Sequence, residues 1–594
     1  MSVVVEKTIT LRSAPDAVWP FLTDTDRTNR LLATAATYKP IESGAKTNAR
    51  FVVETRAGGF ALSYEEAPFE WIAPKRFSVY RKMRSGPIRS YAYSASLEPS
   101  GEGTKATLRL ELEPIHWLLN PIVKIQSGRF LTSAARLASE IDAHLKEGAE
   151  SPYVEPRTPA NEERLAACDR ELAKRDVDPA ARAALIAIVR DAPDADAVRL
   201  RPFEVAHDKG IDPYAMLGAF LHGVSVGLVE LRWALVCPSC RTANDQITSL
   251  SELATSSHCQ LCDITYGLDL DRAVEATFRP HLGVRETVDR MYCVGGPWRT
   301  PHVLSQANVD AERAIEVPRE SGRFRIFARG GATASLEIAE GAPSETKVRL
   351  VDEQFEPANV RIAPSGSVVV ENATGEGRHV KIEKLGYASL AATAQILTTM
   401  SEFRRLFSKD LLKPSTPVKV GHTAILFSDL TGSTALYTKA GDAAAFRLVD
   451  DHFDVLRKVI DTHRGTVVKT MGDAVMAAFV DAPACVRAAI GCIREFETFR
   501  TTHEHGELTG LKVGLFAGPC YAVNANETLD YFGQTVNCAS RVQHLAESGE
   551  IVMEESVFDD LDEPTKKKLH IVEKVEAKVK GVDAPLRLVR TRLA

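Results

Sequence analysis

Two short acidic turns constrain the fold of this 594-residue chain more than any other feature: FSDLTGST around Asp429 and KTMGD around Asp473. The apolar run from Ala424 to Phe427 predicts a short buried strand before the first turn. Gly465 to Lys469 and Ala474 to Phe479 predict two strands with Asp473 at the tip of their hairpin. Two carboxylates held in this way suit a hard divalent cation, although either aspartate alone is more often a cap or a turn residue.

Four segments around these turns resemble, in the same order, the catalytic domain of class III adenylate and guanylate cyclases. They are HTAILFSDLTGST, VVKTMGDAVMAAF, LKVGLFAG and LDYFGQTVNCASR. The resemblance runs from about Val418 to Arg590, and we assign residues 418–594 to this domain. It implies a ferredoxin-like α/β fold that works as a head-to-tail homodimer, with active sites between the two chains.

The resemblance also implies roles for single residues. Asp429 and Asp473 match the aspartates that hold two Mg²⁺ or Mn²⁺ ions on the nucleotide phosphates, for in-line attack of the ribose 3′-hydroxyl on the α-phosphate. Asn537 and Arg541, which share one face of a predicted helix, match residues that position the ribose and stabilise the transition state. Lys580 matches a lysine that contacts the terminal phosphates, and a solvated surface lysine is an equally good interpretation.

The nucleotide base is the next question. Lys469 and Asp530 match the two positions that read the purine, and an ammonium donor with a carboxylate acceptor can satisfy N1 and N6 of adenine. In the family this pair accompanies adenylate cyclases, whereas Glu and Cys accompany guanylate cyclases. We therefore predict an adenylate cyclase that converts ATP to cyclic AMP and pyrophosphate; a guanylate cyclase and a catalytically silent nucleotide-binding scaffold are the alternatives. Gly518-Pro519 stands where some members place a phosphate-binding arginine.

Residues 1–150 begin with the alternation typical of a strand and end with a long helical pattern, Ile122 to Leu145. This order resembles the START-like, helix-grip superfamily, in which a curved sheet wraps a C-terminal helix around an apolar cavity. The resemblance implies a hydrophobic small-molecule ligand, and an interior filled by the protein's own side chains is the alternative. The tryptophans expected near such a cavity are Trp19, Trp71 and Trp117.

Four cysteines form two CxxC pairs that are separated by 18 residues, Cys237 with Cys240 and Cys259 with Cys262. This is the two-knuckle spacing of a structural zinc ribbon, in which four thiolates close a tetrahedral site. The predicted Zn²⁺ would stabilise a fold and take no part in the reaction. A pair of disulfides does not suit a cytoplasmic chain, and a redox pair needs only one CxxC.

The rest of the middle region divides by its patterns. Residues 151–232 predict a linker and helices, 233–270 the zinc ribbon, 271–385 a β-rich sandwich-like region, and 386–417 a coupling helix with a linker. We hypothesise that this helix pairs across the dimer and couples the upstream regions to the catalytic interface. The knuckles and the sandwich resemble an uncharacterised region that precedes cyclase domains in some bacterial proteins. The expected fold class is thus multi-domain α+β.

Composition limits the partners. The net charge of −6 gives no polyanion-binding footprint, so nucleic acid is not an expected partner. Met1 to Leu11 lacks the apolar core of a signal peptide. The apolar run from Tyr214 to Val229 is too short for a bilayer span, and Asp212-Pro213 predicts a helix start just before it. We therefore expect a cytoplasmic protein in which this run is a buried helix.

Overall fold

The computed structural model describes residues 2–31, 36–41, 51–57, 60–153, 157–287, 293, 296–385, 387–407, 412–413, 417–525, 528–578 and 585–594. Its architecture is multi-domain α+β, as the sequence predicts.

The N-terminal region is a curved antiparallel sheet that wraps one long helix, which confirms the START-like prediction. Its elements are β1 (Val3–Leu11), α1 (Pro15–Leu22), α2 (Thr25–Leu31), β2 (Ala36–Pro40), β3 (Phe51–Ala57), β4 (Phe60–Glu66), β5 (Glu70–Ile72), β6 (Arg76–Met83), β7 (Ile88–Ser100), β8 (Gly103–Pro114) and α3 (Asn120–Glu147). Strands β1, β8, β7 and β6 are neighbours in that order, and β4, β3 and β2 continue from β6. Helix α3 packs on β1 and β8 through one buried side, including Val123, Leu131 and Ala135.

The interior of this sheet contains a buried ion pair rather than only apolar side chains. Arg81 Nε donates to Glu66 Oε2 at 3.0 Å, and the guanidinium lies over the rings of Tyr64 and Tyr91. The Trp71 indole N–H donates to the Val303 carbonyl at 2.8 Å.

The three tryptophans expected near an apolar cavity lie in different surroundings. Trp71 is buried against the next region, and Trp19 is half-buried among apolar side chains. Trp117 is 70% exposed, so the prediction that places it near a cavity is wrong. A groove of about 480 Å³ does exist here, and most of its lining from β6 is Ser78, Tyr80 and Lys82, which alternate with the buried Phe77 and Val79. It therefore lies on the outer face of the sheet.

A helical layer and a small sheet follow. The helices are α4 (Glu162–Leu172), α5 (Pro179–Asp191), α6 (Asp194–Ala197), α7 (Pro202–Lys209) and α8 (Pro213–Ser225). Asp212 caps α8 by accepting from the backbone N–H groups of Tyr214 and Ala215, and most of the helix is buried, as predicted. The strands are β9 (Val229–Val236), β10 (Ala243–Ile247), β11 (Ser256–Cys259), β12 (Ile264–Gly267) and β13 (Val274–Pro280). Among the described residues, we find no helix with the length and apolarity that a bilayer span requires.

The alternating segments form a β-sandwich, as predicted. Its strands are β14 (Val303–Val309), β15 (Glu312–Glu316), β16 (Gly322–Ala328), β17 (Thr333–Ile338), β18 (Glu345–Val351), β19 (Gln354–Glu356), β20 (Asn359–Ile362), β21 (Ser367–Asn372) and β22 (Arg378–Lys384). One layer is β15-β21-β18-β19, and the other contains β14, β22, β16, β17 and β20. The second layer is continuous with the N-terminal sheet, because β14 pairs with β5 through Gln306 and Trp71.

The expected coupling helix is not one helix. Two short helices, α9 (Ala394–Thr398) and α10 (Ser401–Leu406), replace it because the backbone turns at Thr399 and is extended at Met400. The turn directs Phe403 against the ring of Trp233, with ring centroids 5.9 Å apart. The prediction of one continuous helix is therefore wrong. The apolar side chains of this segment pack within the same chain.

The C-terminal region has an eight-stranded sheet with helices. Its elements are β23 (Val418–Thr431), α11 (Ser433–Ala440), α12 (Asp442–Thr462), β24 (Thr466–Met471), β25 (Ala474–Phe479), α13 (Ala482–Thr502), β26 (Gly510–Ala525), β27 (Thr528–Phe532), α14 (Gln534–His544), β28 (Glu550–Glu554), α15 (Glu555–Asp559), α16 (Glu563–Lys566), β29 (Leu569–Ala577) and β30 (Leu586–Leu593). The order is β24-β25-β23-β26-β28-β30-β29, and β27 pairs with β26.

The two faces of this sheet have different partners. Along β23, Ala424 and Leu426 point into the core shared with α12 and α13. Ile425 and Phe427 point to the other face, where the apolar core includes α14 and the upstream residue Phe403. The upstream regions therefore pack directly on the sheet that carries the candidate site.

Candidate active site

The strand register brings Asp429 and Asp473 together. Ser428 of β23 pairs with Val475 of β25, so Asp429 lies beside the turn that joins β24 to β25. The carboxyl groups of Asp429 and Asp473 lie close to each other and to the Ser433 hydroxyl. Burial raises the pKa of Asp473, and the nearby Asp429 charge adds to this, whereas the nearby Ser433 hydroxyl opposes it. Two adjacent carboxylates of this kind can share divalent cations.

Gly432 shapes the turn that follows Asp429. Its φ of +82° is left-handed, and a Cβ atom there would lie 2.3 Å from the Leu508 carbonyl oxygen. The turn is followed at once by α11, whose first residue is Ser433. A larger residue would therefore displace Ser433, which lies close to Asp473.

A third charged group that the sequence did not single out lies at this site. Lys512 of β26 is the register partner of Asp429, and its Nζ lies 2.9 Å from Asp429 Oδ2. Its side chain is largely buried. The LKVGLFAG segment contains this lysine, but only the pairing of β23 with β26 places it beside the aspartate.

The two predicted purine-reading residues form an ion pair. Lys469 Nζ lies 2.6 Å from Asp530 Oδ2 and 5.6 Å from the centre of the Phe532 ring. Asp530 is buried, and its Oδ1 accepts a hydrogen bond from the Tyr531 N–H at 2.8 Å. One oxygen of this carboxylate is thus fixed by the backbone, while the other faces the lysine.

The two residues predicted to act on the ribose and the transition state lie on α14. Asn537 is exposed and Arg541 is half-buried, four residues further along the helix, so both point to one side. The opposite side, with Cys538 and Val542, is buried. Lys580 lies outside the described residues.

Two pairs of residues lie apart within one chain. We call Asp429 with Asp473 the metal pair and Lys469 with Asp530 the purine pair. Asp429 is paired with Lys512, whereas Asp530 is paired with Val523, eleven residues further along β26. Within the described parts of the chain, no hydrogen bond or ion pair joins one pair to the other. The two pairs therefore occupy separate positions in one chain.

The upstream regions hold the strand that carries Asp530. The Arg404 guanidinium donates to the Leu529 carbonyl, and the Tyr531 hydroxyl lies 3.5 Å from Thr398 Oγ1. Leu529 and Tyr531 are the two neighbours of Asp530 in β27. Burial lowers the pKa of Arg404, and the nearby Tyr531 and Asp530 oppose that shift. The position of Asp530 thus depends on residues outside the catalytic region.

A second site is formed by the four cysteines. Their sulfur atoms all lie within 4.8 Å of one another, and all four residues are buried. Tetrahedral zinc with Zn–S bonds of about 2.3 Å requires sulfurs roughly 3.8 Å apart, and Cys240 and Cys259 are separated by 3.6 Å. The four residues Cys237, Cys240, Cys259 and Cys262 therefore fit a structural zinc ion.

Strand β22 supplies a cation to this site. Lys381 Nζ lies 3.6 Å from Cys262 Sγ and donates to Ser239 Oγ at 2.6 Å. His302 Nε2 lies 2.7 Å from the Ser239 carbonyl oxygen. Four thiolates around Zn²⁺ carry excess negative charge, which a buried ammonium offsets. The cysteine site is thus joined to the β-sandwich as well as to its own hairpin.

Comparisons with known proteins agree with these regions. Residues 417–589 match the family model of the adenylate and guanylate cyclase catalytic domain. Residues 2–142 match the polyketide cyclase/dehydrase and lipid transport family, and residues 166–290 match a family of unknown function, DUF5939.

Individual relatives match about a quarter of the chain. Atrial natriuretic peptide receptor 2 of Homo sapiens is 30% identical over 168 residues, which is 26% of this chain and 16% of that protein. An adenylate cyclase of Mycosarcoma maydis is 30% identical over 165 residues, 24% of this chain and 6% of that protein. The chain thus spans less than a fifth of the length of these relatives. The adenylyl cyclase CyaB from P. aeruginosa is 22% identical, covers 30% of this chain and 97% of that chain, and has a TM-score of 0.26.

Proposed function

Because residues 417–589 form a class III nucleotidyl cyclase catalytic domain and residues 2–142 form a START-like domain, we propose that this protein is an adenylate cyclase whose upstream regions control its activity. The observation that carries the choice of ATP is the ion pair between Lys469 and Asp530.

Base recognition follows from the chemistry of that pair. An ammonium only donates and a carboxylate only accepts, so together they complement the N1 acceptor and the N6 amino group of adenine. Asp530 keeps its orientation through the Tyr531 N–H, while Lys469 can move aside to admit the base. Guanine presents the reverse pattern, which the same two groups could meet after exchanging places. The family's use of Lys and Asp for adenine favours ATP.

The phosphates would lie at the other pair. Bound at Asp429 and Asp473, Mg²⁺ or Mn²⁺ ions would neutralise phosphate charge and promote ionisation of the ribose 3′-hydroxyl. The Ser433 hydroxyl lies near Asp473, and Lys512 could contact phosphate oxygens when Asp429 binds a metal ion. Pyrophosphate leaves as the 3′-oxygen bonds to the α-phosphorus. The Arg541 guanidinium would stabilise the charge that grows on the α-phosphate, and Asn537 would orient the ribose.

A complete site requires a second copy of the chain. The metal pair and the purine pair of one chain occupy different positions along β26. In a head-to-tail homodimer, Lys469, Asp530, Asn537 and Arg541 of one copy would face Asp429 and Asp473 of the other. Two-fold symmetry then generates two equivalent sites.

The cysteine site would hold one structural Zn²⁺. Four cysteine ligands leave no open coordination position, so the ion would not take part in the cyclisation. Its function would be to fix the 233–270 segment against β22 and thereby the surface on which the catalytic sheet rests.

The deciding experiment measures product from the purified full-length protein with Mn²⁺ and either ATP or GTP. We expect cyclic AMP from the unaltered protein and a loss of at least about a hundredfold in Asp473→Ala. Asp454→Ala, which removes an exposed carboxylate of α12, is the matched control and should retain activity. Cyclic GTP as the main product would support the guanylate alternative, and no product from either nucleotide would support the scaffold alternative.

A further inference from the structure

Five large apolar side chains stand exposed together at the start of α3 and just before it. Their exposed fractions lie between 50% and 70%, far above those of core side chains. They are Ile115, Trp117, Leu118, Ile122 and Ile125. We call this surface the apolar tip. Exposed apolar clusters in folded proteins usually mark a place where another molecule binds.

The geometry of α3 separates the apolar tip from the core. Residues Trp117–Leu119 form one turn of 3₁₀ helix, and α3 continues from Asn120. Val123 points to the sheet and is buried. Ile122 and Ile125 point away from it, and Arg129 follows on the same side one turn later. The apolar tip thus projects outward from one end of the helix-grip fold and does not point into its interior.

The segment that carries the apolar tip has cationic but no anionic side chains. Residues 114–139 contain no aspartate or glutamate, although the whole chain has 79 of them. The same segment contains Lys124, Arg129 and Arg136. Lys7 of β1 also reaches α3. The first turns of α3 beside the apolar tip thus carry the cations Lys124 and Arg129, whereas the nearest glutamates, Glu113 and Glu140, pair with Arg89 and Arg136.

We propose that the apolar tip docks this protein on the surface of anionic phospholipid bilayers. Trp117, Leu118 and Ile122 would enter the boundary between head groups and acyl chains, where tryptophan rings are favoured. Lys124 and Arg129 would lie among the negatively charged head groups. Neither charge alone nor apolar area alone accounts for the arrangement, whereas an anionic bilayer uses both. Docking of this kind is independent of the cyclase proposal.

The test uses the full-length protein and vesicles made of phosphatidylcholine alone or with about a third of phosphatidylserine. We expect co-sedimentation with the mixed vesicles and a blue shift of tryptophan emission. The double variant Trp117→Ser/Ile122→Ser should weaken this binding by about tenfold or more, because it removes the inserted area. Lys124→Glu/Arg129→Glu should abolish the preference for the anionic vesicles. Leu282→Ser, at another site that is 61% exposed, is the matched control and should bind like the unaltered protein.

Three results would overturn the proposal. The first is no binding to either kind of vesicle. The second is binding that the Trp117→Ser/Ile122→Ser variant leaves unchanged. The third is a lack of vesicle binding together with a smaller molar mass of that variant in sedimentation equilibrium, which would assign the apolar tip to contact with a second copy of the chain. Circular dichroism of each variant checks that the exposed substitutions leave the fold intact.

Discussion

The guanidinium of Arg404 donates a hydrogen bond to the carbonyl oxygen of Leu529, the residue immediately before Asp530. Arg404 belongs to α10, upstream of the catalytic region, whereas Leu529 belongs to the strand that carries one member of the purine pair. A shift of α10 would therefore move the backbone of β27. This contact gives the upstream regions a direct physical route to base recognition.

Arg404→Ala should raise the KM for ATP by about three- to tenfold, because one buried hydrogen bond on β27 is lost. We expect a smaller change in kcat, since the metal pair does not touch this residue. Steady-state kinetics would measure both constants, and hydrogen exchange of residues 528–532 should become faster whether or not the protein is active. Arg405→Ala, at the adjacent exposed position, is the control. Equal KM values for both variants and the unaltered protein would contradict an effect of α10 on base recognition.

Exchange of the purine pair should change the preferred nucleotide. Lys469→Glu with Asp530→Cys replaces a donor and an acceptor by the pattern that the family uses for guanine. We expect kcat/KM to fall for ATP and to rise for GTP, so that their ratio changes by about a hundredfold or more. Each single variant serves as a control and should be poor with both nucleotides. An unchanged ratio in the double variant would mean that the base is read elsewhere.

Two inactive variants should restore activity when they are mixed. Asp473→Ala removes a metal ligand and Arg541→Ala removes the cation of α14, so either homodimer would have two defective sites. A mixed dimer would have one intact site. With free exchange of subunits, about a quarter of the original activity should return, because half of the dimers are mixed and each has half of its sites intact. Activity that stays at the level of the separate variants would argue against sites shared between two copies.

Loss of one cysteine ligand should remove zinc and destabilise the protein. We expect about one zinc per chain in the unaltered protein and almost none in Cys259→Ser. Its melting temperature should fall as the zinc segment loosens from β22. Elemental analysis and thermal unfolding would measure the two effects. Cys168→Ala is the control, since this buried cysteine lies outside the cluster and its loss should leave the zinc content unchanged.

Asp24 should make the protein less stable as the pH rises. Burial raises the pKa of Asp24 to about 6, and its Oδ1 accepts the Arg27 N–H. An unfolded aspartate has a pKa of about 3.9, so between these values the folded state holds the proton more tightly. The stabilising contribution is present below pH 4 and is lost as the pH rises through about 6.

Asp24→Asn keeps the acceptor for Arg27 and removes the ionisation. We expect it to raise the melting temperature at pH 8, where it should increase the free energy of unfolding by at most on the order of 2 to 3 kcal/mol. It should have little effect at pH 4. Asp16→Asn, at an exposed position of α1, is the control. A melting temperature that falls equally at both pH values would show that the carboxylate is stabilising in its charged form.

Some of the structure follows directly from short sequence patterns. The hairpin around Asp473, the helix after Asp212 and the long helix α3 depend on residues within a few positions of one another, which is the range over which turns, caps and amphipathic faces act. The cysteine spacing likewise predicted a cluster before any fold was known. The resemblance to cyclases supplied the residues of both nucleotide pairs.

Other features required distant segments to meet. No local pattern indicates that Lys512 lies beside Asp429 or that Arg404 reaches Leu529, because each contact joins residues that are far apart in the chain. It predicted one helix where packing of Phe403 on Trp233 favours two. It also placed Trp117 near a cavity, whereas this side chain is exposed on the 3₁₀ turn before α3.

The sequence by itself therefore determined the local elements, the cysteine cluster and the type of chemistry. The tertiary structure alone decided which groups face one another: that β5 and β14 join two regions in one sheet, that the metal and purine pairs lie apart in one chain, and that α10 rests on β27. The physical reason is that local propensities depend on neighbouring residues, whereas strand register and packing between layers depend on the burial of whole surfaces at once.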